Sequence, residues 1–341
     1  MKNLSSIIAF GLIILASACK KQQEIIEEPK ISPPKNVYVA GYENNSSYIK
    51  VAKLWKNGVA TNLSDGTKET TANGVAVLGN DVYVVGNEFN PSMASYTPII
   101  WKNGIATKLS ANGAANAIAV IGSDVYVAGF ENDARSIRAM LWKNGVASPL
   151  TLWNGVAQSI TANGNDIYIC GYKVNSNGLS SPVIWKNDSY SDLPTGGNPS
   201  ILTGISVAIN GPDVYVLGGS LTGKFLWKNG VLSSIAESGK SMDVYSIFAA
   251  NNNLYMAGTE YKSSGTRYTD HATLWINGTS SIFANDAIAN HIFVDGQDVF
   301  TAGYIAETGP LKSIAIAWKN GIQTSLTDGT KNARALAICV K

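Results

Sequence analysis

The side chains best suited to recognition or acid–base chemistry are few in this chain of 341 residues. It has only two histidines and four arginines, and one of its eight tryptophans stands outside a recurring motif. Arginine, tryptophan and tyrosine often carry the binding energy of recognition sites, and histidine titrates near neutral pH. The sequence therefore offers eight candidate binding residues and no catalytic residue: Arg135, Arg138, Trp153, Arg267, Tyr268, His271, His291 and Arg334.

Motifs for common catalytic chemistry are absent from the sequence. It contains no serine nucleophile elbow, no phosphate-binding loop, no dinucleotide fingerprint and no Cys-x-x-Cys pair. A glycosidase needs two carboxylates about 5–10 Å apart. The glutamates that stand out instead recur at one position of a repeat, which indicates a structural role: Glu43, Glu88, Glu131 and Glu260.

Self-similarity is the dominant signal in the sequence. A segment resembling Asp-Val-Tyr-Val-x-Gly recurs and is followed each time by a segment resembling Leu-Trp-Lys-Asn-Gly. The tryptophans of the second segment are 41 to 48 residues apart: Trp55, Trp101, Trp142, Trp185, Trp227, Trp275 and Trp318. Such a period is typical of propeller blades or of other repeat architectures.

Each repeat holds four short strand patterns, which we name A to D. In one repeat, Ala117–Val120 is strand A, Val125–Val127 is strand B, Ala139–Trp142 is strand C, and Val146–Leu150 is strand D. Period-two alternation bounded by Asn-Gly and Gly-x-Asp turns predicts consecutive antiparallel hairpins.

These patterns predict an all-β fold, a seven-bladed β-propeller of four-stranded antiparallel blades. Small residues in strand A suit the crowded axis, and the repeated tryptophans suit core packing between blades better than ligand stacking. The folded part opens at Asn36 with strand B and ends at 334–340 with a strand A pattern. We therefore expect the C-terminal strand to complete the N-terminal blade and to hide two sheet edges.

At the Leu-Trp-Lys-Asn-Gly segment the chain resembles the extracellular HAF-type repeat proteins. Those repeats also carry Leu-Trp-x-Asn-Gly, an Ala-rich strand and a single glycine after the next strand. The resemblance implies an exported, propeller-like repeat protein with no established chemistry.

The loops predict which face of the fold would bind a ligand. The A–B and C–D turns are short and nearly uniform, whereas the B–C and D–A connections vary in length and composition. Variable loops on a rigid scaffold are the usual site of binding. The candidate residues belong to this B–C/D–A face, with Trp153 in a D–A loop and His271 at the end of a B–C loop. Four loop tyrosines are further candidates for stacking on sugars or on a partner: Tyr48, Tyr96, Tyr261 and Tyr268.

His291 is the most unusual of the candidates. Its equivalents in the other repeats are small: Gly74, Ala117, Ser159, Ser206, Ser246 and Ala335. One interpretation places its imidazole at the mouth of a central channel, in a polar cluster with Tyr268, Asp270 and His271. The other has it filling a gap left by small neighbours. The spacing does not supply the three or four converging ligands of a metal site, so we predict neither a metal nor a cofactor.

The N-terminal segment has the sequence pattern of an export signal. Lys2 precedes a short apolar core at Ile7–Leu15, and small residues then lead into Cys19. This arrangement resembles a bacterial lipobox, although Ala16 stands where that family prefers a larger aliphatic residue. We therefore expect a signal peptide at 1–18, lipidation of Cys19, a disordered tether at 19–35 and the propeller at 36–341. Cys170 and Cys339 lie far apart in the repeat order, so we expect unpaired thiols.

Composition and pattern together leave more than one function open. The net charge of +2 gives no sign of nucleic-acid binding. The first hypothesis is a non-catalytic binding or scaffolding lipoprotein of the bacterial envelope, anchored in the outer membrane and using the B–C/D–A face for a protein or glycan. The alternative is a glycan-active hydrolase or lyase with its site at the channel mouth. A purely structural envelope protein is a third option.

Overall fold

The computed structural model describes residues 35–133, 136–197, 203–220, 223–235, 240–264, 267–306 and 312–341. Within these ranges it describes only the backbone of Ser264, Arg267 and Tyr268. The expected signal peptide, Cys19, nearly all of the expected tether, and Arg135 lie outside the described residues. In the described ranges, no helix has the length and apolar character needed to cross a membrane.

The first half of the described chain is built entirely of strands. Its elements in chain order are β1 (Val37–Asn44), β2 (Lys50–Lys56), β3 (Val59–Asn62), β4 (Thr70–Leu78), β5 (Asp81–Asn90), β6 (Ser95–Lys102), β7 (Ile105–Lys108), β8 (Gly113–Ile121), β9 (Asp124–Asn132), β10 (Ile137–Lys143), β11 (Val146–Asn163), β12 (Asp166–Val174), β13 (Ser180–Lys186) and β14 (Ser189–Asp192).

The second half continues in the same way. Its elements are β15 (Thr203–Asn210), β16 (Asp213–Ser220), β17 (Gly223–Lys228), β18 (Val231–Ser234), β19 (Ser241–Ala250), β20 (Asn253–Ser264), β21 (Arg267–Ile276), β22 (Thr279–Asn285), β23 (Ala287–Asp295), β24 (Asp298–Ala306), β25 (Ser313–Lys319), β26 (Ile322–Ser325) and β27 (Ala333–Val340).

These strands form four-stranded antiparallel sheets, with one exception. Four sheets contain consecutive strands, namely β4–β7, β15–β18, β19–β22 and β23–β26, and a fifth has the order β27-β1-β2-β3. The exception is a seven-stranded sheet, β8 to β14, because β11 pairs with β10 along its first part and with β12 along the rest. The expected D–A loop around Trp153 is therefore wrong: Trp153 lies inside a continuous strand.

The two ends of the described chain meet in one sheet. β27 pairs antiparallel with β1 from Val37 opposite Val340 to Glu43 opposite Ala333. The backbone amides and carbonyls of Asn36 and Lys341 extend this pairing with two further hydrogen bonds. The C-terminal strand therefore covers the edge that β1 would otherwise expose.

Seven strands line one central cavity of about 490 Å³, and we call them the inner strands: β4, β8, the second part of β11, β15, β19, β23 and β27. Each has a β-bulge at the same place, so that one residue has no partner on the next strand. The unpaired residues are Asn73, Asn116, Gln158, Ile205, Tyr245, Asn290 and Leu336.

The repeated tryptophans pack between neighbouring sheets. All seven are at most 1% exposed, which confirms that they are core residues and leaves no face for a ligand. Trp101 lies in a buried cluster with Ala52 and Ala72, and Trp55 lies in another with Ala302 and Ala335. The cysteines Cys170 and Cys339 are unpaired, as expected, and burial raises the pKa of the Cys339 thiol to about 11.

Candidate functional site

The polar groups of the repeated motifs bond to one another. In one repeat, Lys102 Nζ lies 2.8 Å from Asp81 Oδ2, and Asn103 donates to Asp81 Oδ1 at 2.8 Å. These two hydrogen bonds lower the pKa of Asp81. Asn103 has a positive φ of 51°, accepts the amide of Val82, and thereby holds the C–D turn beside the A–B turn. Four other repeats share the lysine–aspartate pair, at Lys143–Asp124, Lys186–Asp166, Lys228–Asp213 and Lys319–Asp298. These motif residues build the turns and are not free to bind a ligand.

The central cavity is lined by polar groups that already bond to the next inner strand. Side-chain oxygens of Ser159, Ser206 and Ser246 accept backbone amides from the neighbouring inner strand at 3.2 to 3.4 Å. On other inner strands, the bulge asparagines Asn73, Asn116 and Asn290 donate to a carbonyl of the neighbour at 2.8 to 3.1 Å. Neither Arg138 nor Arg334 lines this cavity.

His291 makes the same kind of hydrogen bond as these serines, accepting a backbone amide from the neighbouring inner strand. Its Nδ1 accepts the amide of Ile338 on β27 at 3.4 Å. The register shows that its equivalent on β27 is Ala337, not the expected Ala335, because Leu336 forms the bulge. Burial lowers the pKa of His291 to about 4, so its imidazole is neutral at pH 7. His291 lines the central cavity from the middle of β23 and links that strand to the C-terminal strand.

Acid should destabilise the protein through His291. Between pH 6.5 and about 4 the unfolded chain binds a proton at this residue and the folded chain does not, so stability falls as pH decreases through that range. The loss amounts to about 3 kcal/mol, since one pKa unit corresponds to about 1.4 kcal/mol. Thermal unfolding of His291→Ser should depend less steeply on pH over this range than that of the wild type. Ser246→Ala, at the equivalent position of β19, is the control and should follow the wild-type slope; equal slopes for all three proteins would refute the assignment.

His271 does not join His291 in a common cluster. It lies within β21 rather than at the end of a loop, with Nε2 2.9 Å from Thr269 Oγ1 and Nδ1 2.8 Å from Asn285 Oδ1. Both nitrogens therefore have partners from the same sheet. Among the described residues, no group of three histidine, cysteine or carboxylate side chains could hold a metal ion.

The remaining sequence candidates are dispersed. Arg138 is exposed and forms an ion pair with Asp133 in its own hairpin. Trp153 is partly exposed, stacks on Trp185 with ring centroids 6.3 Å apart, and meets the half-exposed Tyr190 edge-on at 5.4 Å. Lys173 Nζ lies 5.8 Å from the centre of each of the Trp153 and Tyr190 rings. Arg267 lies on β21 beside Tyr268, but their side chains lie outside the described part of the chain. Of the two candidate arginines whose side chains are described, Arg334 is the one that lies beside an aromatic ring and away from any carboxylate partner in the described ranges.

Arg334 lies at the start of β27, between two tyrosines. The carbon of its guanidinium is 4.3 Å from the centre of the Tyr304 ring, and Tyr42 is its partner across the β1–β27 pairing. Its Nε is buried without a hydrogen-bond acceptor, and no carboxylate pairs with it in the described ranges. Burial raises the pKa of Tyr42 and of Tyr304, and the arginine opposes this in both cases. Both phenols are therefore protonated and able to donate.

Two more tyrosines extend this group along the neighbouring sheet. Tyr245 is the bulge residue of β19 and its hydroxyl is 3.3 Å from that of Tyr261, which donates to Asp243 at 2.8 Å. Asp243 also lies 3.2 Å from Lys224 Nζ. Burial raises the pKa of Tyr245, and Tyr304 contributes to that shift. We call Arg334 with Tyr42, Tyr304, Tyr245 and Tyr261 the tyrosine arc.

One carboxylate without a donor lies beside the arc. Burial raises the pKa of Asp270, the charge of Asp286 adds to the shift, and His271 opposes it. Burial and, to a smaller extent, the charge of Asp270 raise the pKa of Tyr304, which lies on β24 of the neighbouring sheet. No hydrogen bond reaches its carboxylate from the residues that the structure describes. Among the side chains that the structure describes, the arc therefore combines a cation without a carboxylate partner, phenol donors and a carboxylate without a hydrogen-bond donor.

Sequence reasoning found Arg334 and Tyr261 but missed the other members of the arc. The residue that follows the repeated glycine of strand B varies: Tyr42, Asn87, Phe130, Tyr172, Gly219, Thr259 and Tyr304. Tyrosine at this position on β1 and β24, which both neighbour β27, was the available signal. The bulge that aims Tyr245 inward has no such signal, because its equivalents share no residue type.

Comparisons with known proteins address the fold. No protein-family model matches the sequence, and no curated protein matches it. The structure is similar to the acylaminoacyl peptidase of Pyrococcus horikoshii, with a TM-score of 0.52 and 12% identity over 87% of this chain and 51% of that one. It is similar to a puromycin-hydrolysing peptidase of Mycobacterium tuberculosis, with a TM-score of 0.53 and 10% identity over 89% and 52% of the two chains.

A third similar structure is itself a propeller domain. The β-propeller domain of the trilobed protease of Pyrococcus furiosus has a TM-score of 0.50 and 10% identity, over 88% of this chain and 94% of that domain. This chain spans only about half the length of the two peptidases. At such low identity the likeness concerns architecture alone: the chain has an all-β propeller fold with four-stranded antiparallel blades.

Proposed function

We propose that this chain is a non-catalytic binding or scaffolding lipoprotein of the bacterial envelope, which uses the B–C/D–A face. The observation that carries the proposal is the unpaired guanidinium of Arg334 among the phenols of the arc. An anion is the natural partner of a guanidinium without a carboxylate beside it, and because Nε is itself buried such an anion would bond to the terminal nitrogens. The lysines, aspartates and asparagines of the repeated motifs, by contrast, bond to one another in the turns. Four motif tryptophans also have an indole N–H without an acceptor among the described residues, but they are at most 1% exposed and offer no access to a ligand.

We infer further that the propeller is a closed ring of seven blades. Seven bulged inner strands line one cavity, and seven buried clusters each join one sheet region to the next. On this view the seven-stranded sheet is two blades that share β11. The pairing of β27 with β1 would then close the ring and place Arg334 beside the last blade.

Binding without turnover is the test of the proposed function. The full-length protein, purified in detergent, should bind members of a glycan array or retain a partner, and should leave the ligand chemically unchanged. Substitutions in the arc should abolish that binding while thermal unfolding stays cooperative. A purely structural protein would bind nothing and tolerate alanine throughout the arc, which would overturn the proposal.

A glycan-active enzyme is the second candidate, favoured by the two carboxylates of Asp270 and Asp286. The charge of Asp286 helps to keep the pKa of Asp270 high, which is how a general acid is held protonated. Product formation from a bound oligosaccharide, lost in Asp270→Asn with binding retained, would establish the enzyme. Binding with no product over long incubation would favour the non-catalytic module.

Lipid anchoring of Cys19 is a separate expectation of the proposal. Cys19→Ser should leave the protein in the aqueous phase after detergent phase separation, whereas the wild type should enter the detergent phase, because acyl chains supply the membrane affinity. Cys339→Ser is the matched control and should partition like the wild type. Detergent partitioning that is unchanged in Cys19→Ser would refute the anchor.

A further inference from the structure

We propose that the tyrosine arc binds the carboxylate of an acidic sugar of the uronic acid class. This inference rests on the proposed function, and specifies the ligand of the same face. The terminal nitrogens of the Arg334 guanidinium would bind the carboxylate, the rings of Tyr245 and Tyr304 would stack against the apolar face of the sugar, and Asp270 would accept a hydrogen bond from a sugar hydroxyl.

The charges around the arc favour a singly charged anion. Arg334 is the one cation of the arc without a partner among the described residues, since Lys224 already pairs with Asp243. A phosphate monoester carries about 1.5 to 2 negative charges at neutral pH and would leave part of that charge unmatched beside Asp243 and Asp270. A carboxylate matches the planar fork of one arginine with two parallel hydrogen bonds.

The tyrosines favour a sugar as the body of that ligand. The partly exposed rings of Tyr245 and Tyr304 present apolar faces, and their hydroxyls remain protonated because burial raises both pKa values. Tyr42 is only 6% exposed and does not present its ring. A pyranose ring offers C–H faces for stacking and hydroxyls for donation and acceptance, which suits such surfaces. Asp270, partly buried and without a hydrogen-bond donor in the described part of the chain, supplies the acceptor that a sugar hydroxyl needs.

The inner strands argue against an extended peptide as the ligand. A peptide that adds to a sheet edge needs free backbone groups along that edge. Four amides on the inner edges are already bonded to side chains of the neighbouring strand: those of Val207, Ile247, Ile292 and Ile338. Strand addition in the channel would have to break these bonds, whereas a sugar would use side chains only.

The experiment compares two oligosaccharides that differ in one group. Full-length protein in detergent is titrated calorimetrically with an oligosaccharide ending in glucuronate and with the same oligosaccharide ending in glucose. The glucuronate form should bind at least tenfold more tightly, and added salt should weaken only that form. Arg334→Gln should reduce its affinity about 10- to 100-fold, the effect of losing a charge-assisted pair.

Two further variants guard against misfolding and non-specific charge effects. Tyr304→Phe keeps the ring under Arg334 but removes a hydroxyl, so it should weaken glucuronate binding several-fold even if Arg334→Gln fails to fold. Arg138→Gln removes an exposed, already paired arginine and should change nothing.

Each remaining outcome separates this inference from the proposed function. Equal affinity for the two oligosaccharides, or tighter binding of a short peptide with a free C-terminal carboxylate than of the glucuronate form, would overturn the acidic-sugar assignment. In those cases the binding role would still stand. Failure to bind any probe or array member, with the protein folded, would overturn both.

Discussion

Deleting residues 333–341 should abolish cooperative folding. The deletion removes β27, and with it the fully or nearly fully buried side chains of Ala335, Ala337, Ile338 and Val340. It also exposes the edge of β1 and strips contacts from two buried clusters. Each large apolar side chain that is buried contributes about 1.5–3 kcal/mol, against a total stability of about 5–15 kcal/mol. Circular dichroism should therefore show no sharp thermal transition in the truncated protein.

Two alanine substitutions, one at a buried isoleucine and one at an exposed isoleucine, distinguish the loss of core packing from a general effect of changing the C-terminal strands. Ile338→Ala, at a residue that is 1% exposed, should lower the free energy of unfolding by about 2–5 kcal/mol. Ile322→Ala, at a residue that is 75% exposed on β26, should change it by less than about 0.5 kcal/mol. A truncated protein that melts as sharply as the wild type would show that the pairing of β27 with β1 contributes little.

The repeats made the strands predictable because one short motif specifies a complete hairpin. The asparagine of each Trp-Lys-Asn-Gly segment adopts a positive φ, as Asn57, Asn103 and Asn144 do, and the following glycine does the same. That backbone conformation selects a tight turn, and alternation then fixes which side chains face the core. The propeller fold follows from these local rules together with the period.

The same rules fail where a segment resembles the turn motif in sequence but its backbone does not form the turn. Trp153-Asn154-Gly155 imitates the turn segment, yet neither Asn154 nor Gly155 has a positive φ, and β11 continues through both. Asn154 instead accepts the amide of Ile137 on the neighbouring strand, and Gly155 lies close to the carbonyl of Tyr172. Packing of Trp153 on Trp185 overrides the local turn preference here, and no sequence pattern reports it.

The candidate site was predictable only in part, because its members come from different sheets. Arg334 stood out as a rare side chain, but its value as a binding group depends on what surrounds it. Tyr42 and Tyr304 lie far apart in the sequence, and both flank β27 only because the last strand pairs with the first. His291 also stood out as a rare side chain, but the structure gives it an ordinary role. It accepts a backbone amide, as the serines at equivalent positions do.

Gly86→Ala should be the most damaging conservative substitution in the protein. A Cβ on Gly86 would overlap the carbonyl oxygen of Thr71, which the bulge of β4 pushes against β5. The clash involves backbone on both sides, so relief requires the two strands to separate rather than a side chain to rotate. We expect a loss of at least about 3 kcal/mol, comparable to that of a disrupted core site, measured by chemical denaturation of the full-length protein.

Gly219→Ala is the matched control, one position beyond the repeated glycine of β16. Its Cβ would meet only the side-chain ends of Ile205 and Lys224 at 3.1 to 3.2 Å, and both can move aside. Alanine should be equally damaging at the equivalent glycines of other sheets, because an added Cβ there would also overlap a carbonyl oxygen. These glycines are Gly41, Gly129, Gly171, Gly258 and Gly303. Equal stability of Gly86→Ala and Gly219→Ala would show that the inner strands can shift at little cost. The repeated glycine would then no longer be explained by the bulge, which is also the feature that directs Tyr245 toward the arc.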